Sequence, residues 1–161
     1  MGARHTIAKS PYFQTQKLMK KRIIAYIFAV LSTYVLAVIL VSQFNISNVQ
    51  DMGFAVSFNQ RLAAIAHDLV GMLGLYLPLL AIGLLIALSF TGLVLMRFIK
   101  QPQVLYPLAG FVGVVALHSI LHMVLGLSGI APTRTPTGLL SQGLAGAVGG
   151  YVYLRIRFSN S

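Results

Sequence analysis

The sequence predicts an all-α integral membrane protein: four transmembrane helices in an antiparallel bundle, both termini cytoplasmic, the second helix extended outside the membrane. Three observations carry this prediction. The chain has 161 residues, 57% hydrophobic and only 9% charged, whereas soluble domains carry about a quarter charged residues. Too few polar groups exist to cover such a protein against water, so lipid must be its solvent. Four apolar runs approach or exceed the roughly 20 helical residues that cross a bilayer. Finally, the 12 Lys and Arg residues lie mostly on one side of those runs.

Residues 1–22 form a basic cytoplasmic tail, followed by a first span over residues 23–42. That run reads as a signal anchor, because it is too long for a cleaved leader and "VSQFN" offers no small-x-small cleavage site. Residues 43–68 form an outer segment. Within it "SFNQ", Ser57 to Gln60, has the capping-box pattern, and Phe58, Leu62, Ile65 and Leu69 then share one helical face. The second helix is therefore expected to start near Ser57 outside the hydrocarbon and to cross over residues 69–96, kinked at Pro78 because a proline donates no backbone hydrogen bond.

Pro102 and Pro107 restart the chain into a third span over residues 104–128. "APTRTPTG" makes a second outer loop, residues 138–154 a fourth span, and residues 155–161 a cytoplasmic tail. In the fourth span Gly138, Gln142, Gly146 and Gly150 recur every four residues, the small-xxx-small pattern that lets helix backbones approach closely. Packing within this chain's own bundle is the first expectation for that stripe, and packing against another subunit the second. The runs are continuous rather than alternating, which excludes a β-barrel; helices alone then satisfy their backbone groups in lipid. One domain is expected.

With the N-terminus inside, the inner segments hold Arg4, Lys9, Lys17, Lys20, Lys21, Arg22, Arg97, Lys100, Arg155 and Arg157, and the outer ones only Arg61 and Arg134. This asymmetry sets the orientation. A bacterial inner membrane is the expected location, with the mitochondrial inner membrane as the alternative. The basic excess hugs the ends of apolar runs, so it points to the lipid bilayer and not to nucleic acid. Cysteine is absent, which removes disulfides, thiol nucleophiles and Cys-ligated zinc or iron–sulfur sites.

The chemistry-bearing residues concentrate at one depth. His118 and His122 stand one helical turn apart and so share a face, counted inward from the outer end of the third span. His67 and Asp68 lie at the outer boundary of the second, Gln142 about a turn into the fourth, and Arg61 and Arg134 at the outer rim. Asp68 has no partner three or four residues away on its own helix. An acid at that depth must snorkel, be protonated or pair with another helix.

Three uses of the cluster compete. In the first, the histidines stay neutral and tie helices together through Asp68, Ser119, Gln142 or backbone carbonyls. In the second, the cluster is a polar pocket for a proton relay, a quinone or a small substrate, since histidine titrates near neutrality. In the third, His118, His122 and Asp68 hold a divalent metal, or His67 pairs with His118 or His122 as the axial ligands of a b-type haem. The chain has no Glu, no phosphate-binding glycine loop and no nucleophilic serine elbow. The expectation is a non-enzymatic accessory or structural subunit, partnered by another membrane protein or its own copies and without a cofactor. The alternative is a redox or transport protein built on the outer His/Asp cluster.

Overall fold

In the computed structural model the described residues, 11–125 and 135–159, are almost wholly helical and include no strand. Three helical stretches are long and apolar enough to cross a membrane, Thr15–Asp51, Tyr76–Phe98 and Pro102–Val124. The chain is therefore a helical protein suited to a membrane.

The first helix, α1 (Pro11–Asp51), has 41 residues, roughly 60 Å at about 1.5 Å per residue. It thus overruns the expected span of residues 23–42 at both ends. Its small residues repeat every fourth position: Ala25, Ala29, Thr33 and Ala37 form one buried row. Ile23, Ile27, Leu31 and Val35 stay exposed on the other side. The helix runs on past Ser42 to Asp51, about two and a half turns, because its polar continuation finds partners. Arg61 donates from Nη1 to Gln43 Oε1 at 3.0 Å and from Nη2 to Gln50 Oε1 at 2.5 Å. Gly53, at φ 91°, then reverses the chain in the left-handed conformation that glycine adopts without steric cost.

The second helix, α2 (Phe58–Gly71), starts where the capping box places it. Gln60 N–H donates to Ser57 Oγ at 3.3 Å, and Ser57 N–H to Gln60 Oε1 at 2.8 Å. Its apolar stripe is not a core face, for α2 has no buried residue and both Phe58 and Leu62 are exposed. An N-cap serine contributes about 1 kcal/mol. Ser57→Ala should therefore speed hydrogen exchange of the Arg61 and Leu62 amides about fivefold, and unchanged exchange would show that the Arg61 ties alone hold the first turn.

The expected continuous second helix is broken. Regular helix stops at Gly71 and, after the turn of residues 72–75, resumes in α3 (Tyr76–Phe90), so the stretch long and apolar enough to cross a membrane starts at Tyr76. The cause is Pro78. A proline inside a helix loses its own hydrogen bond and clashes with the carbonyl four residues back, here that of Gly74. In α3 Pro78 instead occupies the first turn, where no intrahelical donor is needed. Further along, Thr91–Leu95 forms a π-helical turn and Met96–Phe98 a last α-turn.

Helix α4 (Pro102–Leu125) and helix α5 (Pro136–Phe158) complete the chain. Thr135 caps α5, its Oγ1 accepting from Gly138 N–H at 3.1 Å, with Pro136 in the first turn. Helix α5 is long enough to cross at 23 residues, but its glycines and Gln142 leave it less apolar than the other three. It packs against α1 on one side and α4 on the other, while α3 packs against α4 and α1.

The glycines of α5 account for both of its contacts. A Cβ on Gly146 would lie 2.3 Å from the Gly110 carbonyl oxygen, and one on Gly150 2.1 Å from that of Tyr106. On the other side a Cβ on Gly149 would lie 1.9 Å from Thr33 Oγ1, so Thr33 fills the space a side chain would take. Gly138, Gln142, Gly146 and Gly150 are all buried within this chain. The stripe is thus an internal packing surface, which leaves it no lateral face for another subunit.

Candidate functional site

The core contains one chain of hydrogen bonds that joins all four long helices. Ala37 of α1 presents a backbone carbonyl, which can only accept, to Gln142 Nε2 of α5 at 3.2 Å. The amide must therefore turn its NH₂ toward α1 and its oxygen toward α3. There Tyr76 Oη donates to Gln142 Oε1 at 2.8 Å. A phenol has one proton, so with that proton engaged the same oxygen accepts at its other side. His118 Nε2 of α4 stands 3.2 Å away. The direction of the chain thus assigns the proton of His118 to Nε2.

These groups are deeply enclosed: Gln142 is 0%, Tyr76 5% and His118 6% exposed. Aromatic packing holds them. The Tyr76 ring lies 5.7 Å from the His118 ring and 6.2 Å from that of Tyr34, tilted in both cases, within the spacing of favourable ring pairs. Tyr34 Oη in turn donates to the Leu69 carbonyl at 2.5 Å, in the last turn of α2. The break between α2 and α3 is thereby fastened to α1.

Of the residues the sequence singles out, the structure brings together His118 and Gln142. Asp68 is not with them; its Oδ1 lies 3.7 Å from Nδ1 of the adjacent His67, whose side chain is 87% exposed. Arg61 ties α2 to α1. Arg134 lies outside the described residues. His122 is exposed although it stands one turn from buried His118. The reason is the length of α3. Tyr76, its first residue, already meets His118, so one turn further on α4 no α3 residue remains to cover His122. Among the described residues no group of three or more His and Asp side chains is gathered as a metal-ligand set.

Tyr76 is the member the sequence reading missed. Its signal was available: a tyrosine in an apolar run must find a partner for its hydroxyl. A spurious expectation hid it, namely that the helix passes continuously from Ser57 through this point, which centres attention on Asp68 instead.

As chemistry, the chain of bonds ends in an amide. Gln142 Oε1 accepts and Nε2 donates, but an amide does not hand a proton from one to the other as an imidazole does. The network can fix helix register; it lacks the groups to carry a proton from His118 through to α1. Comparison with protein-family models, curated proteins and solved structures finds no match for this chain.

Proposed function

We propose that this protein is a non-enzymatic accessory or structural subunit of a larger membrane assembly, crossing the bilayer four times with both termini cytoplasmic. The observation that supports this reading is the use of its buried polar groups. His118, Tyr76 and Gln142 satisfy one another and the Ala37 carbonyl, which makes them ties between helices. The four-span reading adds α5 to the three most apolar helices. Its supports are α5's length and its central place between α1 and α4. An inner bacterial membrane suits the basic excess on one side, with the mitochondrial inner membrane as alternative.

The topology is tested by reporter fusions. Fusions after Lys100 and after Phe158 should report cytoplasm, and one at Val49 the opposite side; an outward signal at Lys100 rules the four-span arrangement out. The role is tested by mild-detergent purification from the native membrane. The expected result is a stoichiometric membrane-protein partner, or a defined homo-oligomer, in a fraction without visible absorbance or bound metal. Stoichiometric haem absorbance or metal in that fraction would favour the redox alternative, with His67, Asp68, His118 or His122 as the ligands to mutate.

A further inference from the structure

The end of the molecule away from α2 carries every described basic residue except Arg61. The chain's two acids are both elsewhere: Asp51 ends α1 on the far side and Asp68 lies in α2. At this basic end a cleft of about 390 Å³ opens between α1, α3 and α5. Its volume is in the range of about 300–1,000 Å³ found for small-ligand sites. Arg22 and Arg157 line it together with Ser89, and Ile23, Leu85 and Leu93 supply apolar wall. Those three apolar side chains are also exposed on the outer surface, so the cleft is open along its side toward the apolar surroundings of the helices.

Arg157 is positioned before any ligand arrives. It donates to the hydroxyls of Tyr106 and Tyr153, and its guanidinium lies 5.1 Å from the Phe158 ring centroid and 5.4 Å from that of Tyr106. Gly92 permits this arrangement, because a Cβ there would lie 3.2 Å from Tyr106 Oη and 3.3 Å from Arg157 Nη1. Gly92 belongs to the π-helical turn Thr91–Leu95, and such turns recur at functional sites. Hydroxyls and rings orient a guanidinium without neutralising it. Among the described residues, two arginines thus face one cleft with no carboxylate side chain beside them, and their forked donors match a phosphate group.

We propose that this cleft binds one anionic phospholipid, with its phosphate on Arg22 and Arg157 and an acyl chain along Ile23, Leu85 and Leu93. Basic pockets between membrane helices bind acidic headgroups in this way. The proposal rests on the chain lying in a membrane and not on its role as a subunit. The apolar wall selects a lipid over free phosphate, and the surplus of positive charge selects an anionic lipid over a zwitterionic one.

The test uses the full chain in neutral detergent, with native mass spectrometry counting retained lipid after addition of phosphatidylglycerol or phosphatidylcholine. One phosphatidylglycerol should be retained in clear excess over phosphatidylcholine. Arg22→Gln should weaken retention about fivefold, the usual effect of one basic residue near a headgroup. Leu85→Trp should weaken it comparably by filling the apolar wall. Arg97→Gln, which removes a charge at the same end but outside the cleft, should leave it unchanged. Arg22, Leu85 and Arg97 are all exposed, so their variants should keep the fold, as elution volume and helical content will show. Equal retention of both lipids, an Arg97→Gln effect equal to that of Arg22→Gln, or no effect of Leu85→Trp would each overturn the site. So would displacement of the lipid by inorganic phosphate at equal concentration.

Discussion

Gly146→Leu should yield no natively folded protein, and Gly146→Ala should already be severely destabilised. A Cβ at Gly146 would lie 2.3 Å from the Gly110 carbonyl oxygen and 2.6 Å from Val114 Cγ2. The first of these atoms is backbone, so no rotamer change relieves the contact and the two helices must separate. Separation is costly here because Gly110 makes the reciprocal approach, its own Cβ position lying 2.0 Å from the Gly146 carbonyl oxygen. Overpacking a well-filled core costs about 1–3 kcal/mol where side chains can yield, and more where they cannot. The alanine variant is therefore expected at the upper end of that range or beyond it, and the leucine variant beyond recovery. Gly71→Ala is the control: a Cβ there meets nothing within 4 Å, and its effect should be within about 1 kcal/mol and favourable, as helix propensity dictates. Thermal unfolding in detergent measures all three. If Gly146→Ala melts with the parent protein, α4 and α5 do not pack as described.

How much of this was legible in the sequence depends on the range of the interaction that decides it. The helical, apolar character follows from composition, and the Ser57–Gln60 cap is local, so both could be read directly. The four-residue spacing of Gly138, Gln142, Gly146 and Gly150 also announced a packing surface, although spacing cannot say what packs there. Gly110 and Tyr106, more than thirty residues away in the chain, answer that question. Pro78 was legible as a disturbance but not as a full break, since that outcome depends on whether neighbours hold the freed backbone. Here Tyr34 holds the Leu69 carbonyl, and the chain turns between α2 and α3. That turn displaced Asp68 from the depth at which counting along a continuous helix put it. It also made Tyr76 the first residue of α3, leaving His118 covered and His122 exposed. Two histidines on one face of a helix share an environment only as far as the neighbouring helix extends.

Tyr76→Phe should be the most damaging change of a single atom in the core. The hydroxyl it removes is both the donor to Gln142 Oε1 and the acceptor for His118, so two enclosed polar groups lose their partner together. An orphaned buried group costs about 1–3 kcal/mol, and the packing of the ring itself is kept, so the loss reports the hydrogen bonds alone. Gln142→Leu removes the amide from the same chain and also the donor to Ala37. If the bonds are made, the losses in the Tyr76→Phe, Gln142→Leu double variant will fall short of the sum by about 0.5–2 kcal/mol, the coupling found for contacting polar residues in membrane and soluble proteins. Asp68→Asn combined with His118→Ala should instead be additive, because Asp68 lies beside His67 and outside the network. Helix register gives a second measurement. Cysteines introduced at Leu117 and Gly83, whose neighbouring positions already bring Leu117 Cδ2 to 3.3 Å from a Gly83 Cβ, should cross-link in the parent background, which has no cysteine of its own. They should do so more slowly once Tyr76→Phe releases α3 from α4. Additivity between Tyr76 and Gln142, or strong coupling between Asp68 and His118, would replace the chain of bonds traced from Ala37 to His118 with the acid-centred cluster that sequence alone suggests.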